Sequence, residues 1–350
     1  MGKLKRVDRV IVAVGGSCPA LERLDNGDLL VSYRDDTFSP CRISLTRSRD
    51  GGRTWTKELT FAEGRPGHTG WFYSHNCMAQ LSNGTILLPY LLPRETAGSG
   101  AMMRKSTDRG RTWSDPIPIA PTEGPTANML STVPYGKIRE LQDGSVIMPM
   151  IMCRRKGERH GRCGYLVSRD KGETWSEYVT AAHGRHAGDE NDFIQLPSGR
   201  ILCVCRDPVN TQGHGVGPLY GTWSDDNGKS WAELEMVSWS APRHGHSPSF
   251  FMTKSGTVIC AYRYVAEVDQ LKIGGVGFCY VQEEGLDWTG ETYIWGGVML
   301  LSFMLGVDCM GAGYPGFAYA DEERILVVHH NQPPPGVCLR DIEGVFYVEE

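Results

Sequence analysis

The chain has 350 residues, with 43 glycines, nine tryptophans and a net charge of −5. That length can enclose one large core, and the abundance of glycine and tryptophan, with few runs of Ala, Leu, Glu and Lys, favours many short strands over helices. Scattered Lys and Arg form no basic stripe for nucleic acid, and no run of about 18 apolar residues could span a bilayer, so neither partner is expected.

The first ten residues lack the apolar core of a signal peptide, which gives the expectation of a cytoplasmic protein unless a leader has been removed. Residues 7–14 then read as a strand. From there a unit recurs along the chain: two apolar runs joined by a tight turn, then two more separated by a box of the form Ser-x-Asp-x-Gly-x-Thr/Ser-Trp. The first unit turns at Gly27, continues through Tyr33-Arg34-Asp35-Asp36 and carries the box at residues 48–55. The second turns at Gly84 with its box at 106–113, the third at Gly144 with 168–175, and the fourth at Gly199 with 224–231. A fifth turns at Gly256 and has only a degenerate box at 283–288; a sixth turns near Glu323 without glycine. Residues 344–348 read as a closing strand.

The box is a turn signature: its Asp accepts backbone N–H groups, its Gly takes positive φ, and its Trp packs beneath. The composition also admits a sugar- or calcium-binding role, but a structural role fits it better. Turns spaced 55 to 67 residues apart, with four strands per unit, describe a six-bladed β-propeller of four-stranded antiparallel blades, all β, as one domain over residues 1–350. The N-terminal and C-terminal strands together should complete the sixth blade and remove an open edge. The eleven cysteines lie mostly within strands, as reduced and buried thiols would. No Cys or His spacing suits a metal, and no cofactor is implied.

In a propeller the first strand of each blade lines the channel and the second returns to the same end. Nine residues before each turn stand Cys18, His75, Tyr135, Glu190, Ser247 and Tyr314; seven after stand Arg34, Leu91, Ile151, Arg206, Arg263 and His330. Asp35 and Asp36 follow Arg34, while Asp189 and His246 sit one position outside the ring. Converging guanidinium groups repel one another unless an anion joins them, and their forks suit a carboxylate. A tyrosine hydroxyl becomes a nucleophile only when a base takes its proton, a task open to Glu190 beside Tyr314. Asp35 or Asp36 could protonate a leaving group. The candidate set is therefore Tyr314, Glu190, Asp35 and Asp36 for catalysis, with Arg34, Arg206, Arg263, His75, His246, Tyr135 and His330 for substrate binding. Tyr135 also reads as channel wall, and Arg34 and Arg263 could instead pair with Asp35 or Glu267 between blades. His183, His186, His214 and His244 read as solvated loop residues.

Four boxes, the stretch from Asp189-Glu190 to Arg206, the Gly313-Tyr314-Pro315 segment and Tyr33-Arg34-Asp35-Asp36 together resemble the sialidase (neuraminidase) superfamily over essentially the whole chain. The resemblance implies a retaining glycoside hydrolase that removes a terminal sialic acid or related acidic sugar through a Tyr nucleophile and a Glu base. It places Ser17 where that family keeps the first arginine of its carboxylate-binding triad. Two other readings accompany it: a propeller lyase or hydrolase for uronate-containing glycans acting through His75, His246 or Tyr135, and a propeller that only binds glycan or protein.

Overall fold

A computed structural model describes residues 3–38, 42–61, 76–91, 101–119, 133–153, 158–175, 177–208, 218–237, 244–268, 271–282, 287–298, 313–331 and 340–350. These residues contain strands and turns and no helix. The strands form six antiparallel sheets, arranged as the blades of a propeller. Blade one is typical, running from the inner strand Gly16–Arg23 through Leu29–Asp35 and Arg42–Ser48 to the outer strand Thr56–Phe61.

The expected ring closure is present. Blade six takes Gly313–Tyr319, Arg324–Asn331 and Asp341–Glu349 from the C-terminal end, and Leu4–Ala13 supplies its outer strand. Each strand alone exposes a row of unpaired backbone groups; pairing the two ends of the chain leaves the ring without a gap between first and last units. Apolar residues alternate along the strands so that both faces of a blade meet a neighbour, and six apolar clusters fill the six junctions between adjacent blades.

The boxes do what their composition requires. In each of the four, the Ser hydroxyl accepts the N–H of the box glycine at 2.8 Å. The Asp carboxylate accepts the N–H and hydroxyl of the Thr or Ser four residues on, which holds it down at about 2 in all four copies. These glycines have φ between 77° and 85°, where a side chain is disfavoured. The degenerate fifth box lies largely outside the described residues.

Two features of the inner strands shape the channel mouth. Register shifts interrupt the pairing between Ser17 and Ala20, His246 and Ser249, and Gly313 and Gly316, and a left-handed residue sits inside each: Cys18 (φ 55°), Ser247 (φ 52°) and Tyr314 (φ 57°). A bulge of this kind bends the strand and re-aims the side chains beside it. Holding an L-residue there costs about 1–2 kcal/mol, which the surrounding pairing must offset.

Candidate functional site

The site grows from the blade-four hairpin. Asn191–Gln195 and Ile201–Arg206 pair in a register that sets Asn191 opposite Cys205, so the two chain ends beyond them meet, and Arg206 N–H donates to the Glu190 carbonyl at 2.8 Å. Arg206 Nη1 then lies 3.4 Å from Glu190 Oε2, and Nε lies 3.7 Å from Asp189 Oδ2. The remaining capacity of Glu190 is spent across the channel. Ser247 N–H of blade five donates to Oε2 at 2.8 Å and its hydroxyl to the same atom at 3.2 Å. Tyr314 of blade six donates its hydroxyl to Oε1 at 3.1 Å.

Tyr314 is half-buried, with its ring packed among neighbours from several blades. The Tyr135 ring stands edge-on at 6.4 Å and the His330 ring is tilted at 5.2 Å. Val133, Tyr135 and Ile151, with Leu91, form an apolar wall against it. Gly313 is required by the crowding on the other side, since a Cβ there would come within 3.0 Å of Arg263 Cδ and 3.3 Å of His330 Nε2. His330 is oriented by accepting the Cys18 N–H at Nδ1, 3.3 Å away, which leaves Nε2 as its N–H.

Burial, and then the Glu190 charge, hold the Tyr314 phenol well above its ordinary range, while Arg263 and Arg206 pull it back. The resting phenol is therefore neutral, with Glu190 in hydrogen-bond contact to take its proton. Asp189 is pushed up to about 6 by burial and by the adjacent Glu190, against the pull of Arg206. Two carboxylates sharing one guanidinium cannot both ionise freely.

Blade one places its two neighbouring aspartates differently. Asp35 is 1 % exposed and points into its own blade, where it accepts from Lys57 at 2.5 Å, Ser44 Oγ at 2.7 Å and Thr37 N–H at 3.1 Å. Burial raises its pKa, but those donors outweigh it and hold the carboxyl below its ordinary range. The expectation that Asp35 shares in proton donation is thus corrected, because a carboxylate directed into its own blade faces away from the channel. Asp36 instead lies at the mouth, accepting the Ser17 hydroxyl at 2.8 Å and meeting Arg34 Nε at 2.6 Å.

The other expected residues separate as follows. Arg34, Arg206 and Arg263 all reach the channel end of their strands; Arg34 pairs with Asp36 rather than Asp35. Arg263 is 3 % exposed and forms no ion pair among the described residues. Its Nε finds no hydrogen-bond acceptor there. His246 is 4 % exposed and lies opposite Arg263 in the strand register. Tyr135 is buried, and the proximity of Ser247 couples its hydroxyl to the Glu190 network. His75 lies outside the described residues, as do His214 and the side chain of Glu267. His186 corrects the expectation of a solvated histidine: Nδ1 is 3.2 Å from buried Asp207, and the ring stacks on Tyr220 at 4.6 Å.

Arg340 falls in neither hairpin slot and so lies outside the expected set; it stands just before Asp341–Glu349, and its carbonyl accepts the Gly16 N–H at 2.6 Å.

The opposite end of the channel holds a cavity of about 640 Å³. Its walls are tied by Lys137, which donates to Leu21 O at 2.9 Å, Met78 O at 2.8 Å and the Glu22 carboxylate, and by Arg139, which meets Asp192 at 2.7 Å. This belt carries no nucleophile–base pair, and its charges are matched within it.

A family model described as "BNR repeat-like domain" matches residues 64–289, more than half of the chain. The chain is similar to a sialidase of Micromonospora viridifaciens, with 27% identity over 239 residues, 57% of this chain and 36% of that protein. Among solved structures, a protein of unknown function from Dyadobacter fermentans DSM 18053 superposes with a TM-score of 0.75 at 21% identity, covering 99% of both chains. The Hadza microbial sialidase Hz136 superposes with a TM-score of 0.67 at 17% identity, covering 95% of this chain and 65% of that one. The chain spans well under half the length of the curated relatives it matches.

Proposed function

The chain belongs to the BNR repeat-like family, within the sialidase superfamily, and from that premise we propose that it is a glycoside hydrolase releasing a terminal sialic acid or related acidic sugar. The observation that carries this reading is the Tyr314–Glu190 contact at 3.1 Å inside a ring of guanidinium groups. In the proposed reaction the Tyr314 oxygen attacks the anomeric carbon while Glu190 Oε1 takes the phenolic proton. Asp36 donates a proton to the departing glycosidic oxygen. Water then attacks the anomeric carbon from the face the aglycone left, Asp36 takes its proton, the bond to the tyrosine oxygen breaks, and the proton held on Glu190 returns to that oxygen. Each displacement inverts the anomeric centre, so the product retains its configuration.

A tyrosine suits this task where a carboxylate would not. The substrate's own carboxylate sits beside the anomeric carbon, and a neutral nucleophile approaches it without like-charge repulsion. The cationic side of the pocket, with Arg206 and Arg263, supports a carboxylate, and the apolar side with Leu91, Val133 and Ile151 supports a substituent without charge. A lyase acting through Tyr135 has less support, because that ring is buried in the channel wall, whereas the half-buried Tyr314 donates its hydroxyl directly to a carboxylate at 3.1 Å.

The test is turnover of a sialoside panel, together with trapping by a 2,3-difluorosialic acid. Release of the sugar and a mass increase on the Tyr314 peptide are expected. No release from any sialoside and no adduct on Tyr314 would sink the reading.

A further inference from the structure

The charges of the pocket do not balance evenly. Arg34 is neutralised by Asp36 at 2.6 Å, and Arg206 is shared between Glu190 at 3.4 Å and Asp189 at 3.7 Å. Two cations remain without a carboxylate among the described residues. One is Arg263, deep in the pocket beside Gly313 and Tyr314. The other is Arg340.

Two backbone contacts fix Arg340 at the mouth of blade one. Gly16 N–H donates to the Arg340 carbonyl at 2.6 Å, and Gly15 N–H donates to the Asp341 carboxylate at 3.2 Å. The residue is thereby pinned beside Ser17 and Cys18. Its positive charge is felt by the Cys18 thiol, which burial pushes up to about 12 and Arg34 and Arg340 pull down, and by Arg263, whose charge it opposes. Ser17 itself brings no charge and spends its hydroxyl on Asp36.

We propose that Arg340 binds substrate: together with Arg263 it receives the carboxylate of the acidic sugar, supplying from blade six the cation that blade one lacks at Ser17. The inference rests on the acidic-sugar reading above and names the residue that recognises the acid. Two guanidinium groups whose charges oppose one another at a partly desolvated site repel until an anion joins them, so the pair favours a carboxylate over its neutral derivatives. An interaction made equally with substrate and transition state acts on KM rather than on kcat.

The experiment compares the unaltered protein with Arg340→Gln and Arg340→Lys in two assays. One is turnover of 4-methylumbelliferyl N-acetylneuraminide; the other is calorimetric binding of free N-acetylneuraminate against its methyl ester. Loss of one charge-assisted contact should raise KM by about 10- to 100-fold in Arg340→Gln with kcat within about threefold. The acid-over-ester preference should collapse by the same factor, with Arg340→Lys in between. If Arg340→Gln fails to fold, Arg340→Lys carries the test through the same acid-to-ester ratio. An unchanged KM and ratio, with turnover intact in the unaltered protein, would overturn the role of Arg340 and leave the hydrolase reading standing. Acid binding that weakens in the variants, with no turnover by any form, would uphold Arg340 and remove the hydrolase. No binding of the acid by the unaltered protein would overturn both.

Discussion

At the scale of single residues, the pocket separates groups that look alike in the chain. Glu190 and Asp189 are neighbours, yet Glu190 accepts from Tyr314, Ser247 and Arg206, while Asp189 lies half-buried beside a second carboxylate. On the proposed mechanism, Glu190→Gln and Tyr314→Phe are each expected to lower kcat/KM by about 10³-fold or more on a sialoside, measured in steady state. Asp36→Asn should slow substrates with poor leaving groups by about 10²-fold and aryl glycosides much less, because only the former need the proton. Asp35→Asn should instead act on folding. It leaves Lys57 with a neutral partner and is expected to cost about 1–3 kcal/mol in urea denaturation, with kcat/KM little changed.

Asp189 makes a pH-dependent prediction. Its folded pKa, about 6, lies above the ordinary 3.8, so its proton favours the folded state; the contribution is complete below about pH 4 and is lost as pH rises through about 6. Asp189→Asn removes the need to ionise there. The variant's stability relative to the unaltered protein should therefore rise between pH 4 and pH 6 and level off above, by about 1–3 kcal/mol in total. A difference that stays flat across that window would contradict the assignment.

At the scale of elements, the repeated box is a clamp between the third and outer strands. Asp108 holds Thr112 by both its N–H and its hydroxyl, and Ser106 holds Gly110 N–H. Asp108→Ala should lower stability by about 1–3 kcal/mol in chemical denaturation without moving KM, since those backbone donors lose their acceptor far from the channel. Treatment with a calcium chelator should leave the melting temperature unchanged, because each box carboxylate is already saturated by donors from its own turn. Gly228→Ala should be more damaging than most such changes: φ is 85°, and the new Cβ would meet Tyr165 Oη at 2.2 Å.

For the molecule as a whole, closure of the ring is the exposed point. The strand Leu4–Ala13 pairs with Asp341–Glu349, and Leu4 N–H donates to the Tyr280 hydroxyl of blade five at 2.8 Å. Deleting the first 13 residues uncovers an edge and the apolar junction beneath Leu4. The expected outcome is a melting temperature lower by about 5–10 °C or more, or aggregation, read by calorimetry and light scattering.

The six-fold repeat, the closing strands and the hairpin that joins Glu190 to Arg206 were legible in the residues themselves, because turn glycines, box residues and strand alternation are local chemistry repeated at a fixed interval. Counting from each turn also found Tyr314, Arg263 and His330, since an antiparallel hairpin returns its ends to one place. Three things depended on the assembled ring. The direction of Asp35 against Asp36 follows from which donors, Lys57 or Ser17, stand beside each carboxylate. The left-handed bulges at Cys18, Ser247 and Tyr314 occur at residues with no local need for that conformation. Arg340 stands outside the hairpin count, and its carbonyl's contact with the Gly16 N–H brings it to blade one. Local sequence thus set the blades and their register, whereas the charges that face the channel were decided by contacts between residues as much as 326 positions apart, which only the closed ring brings together.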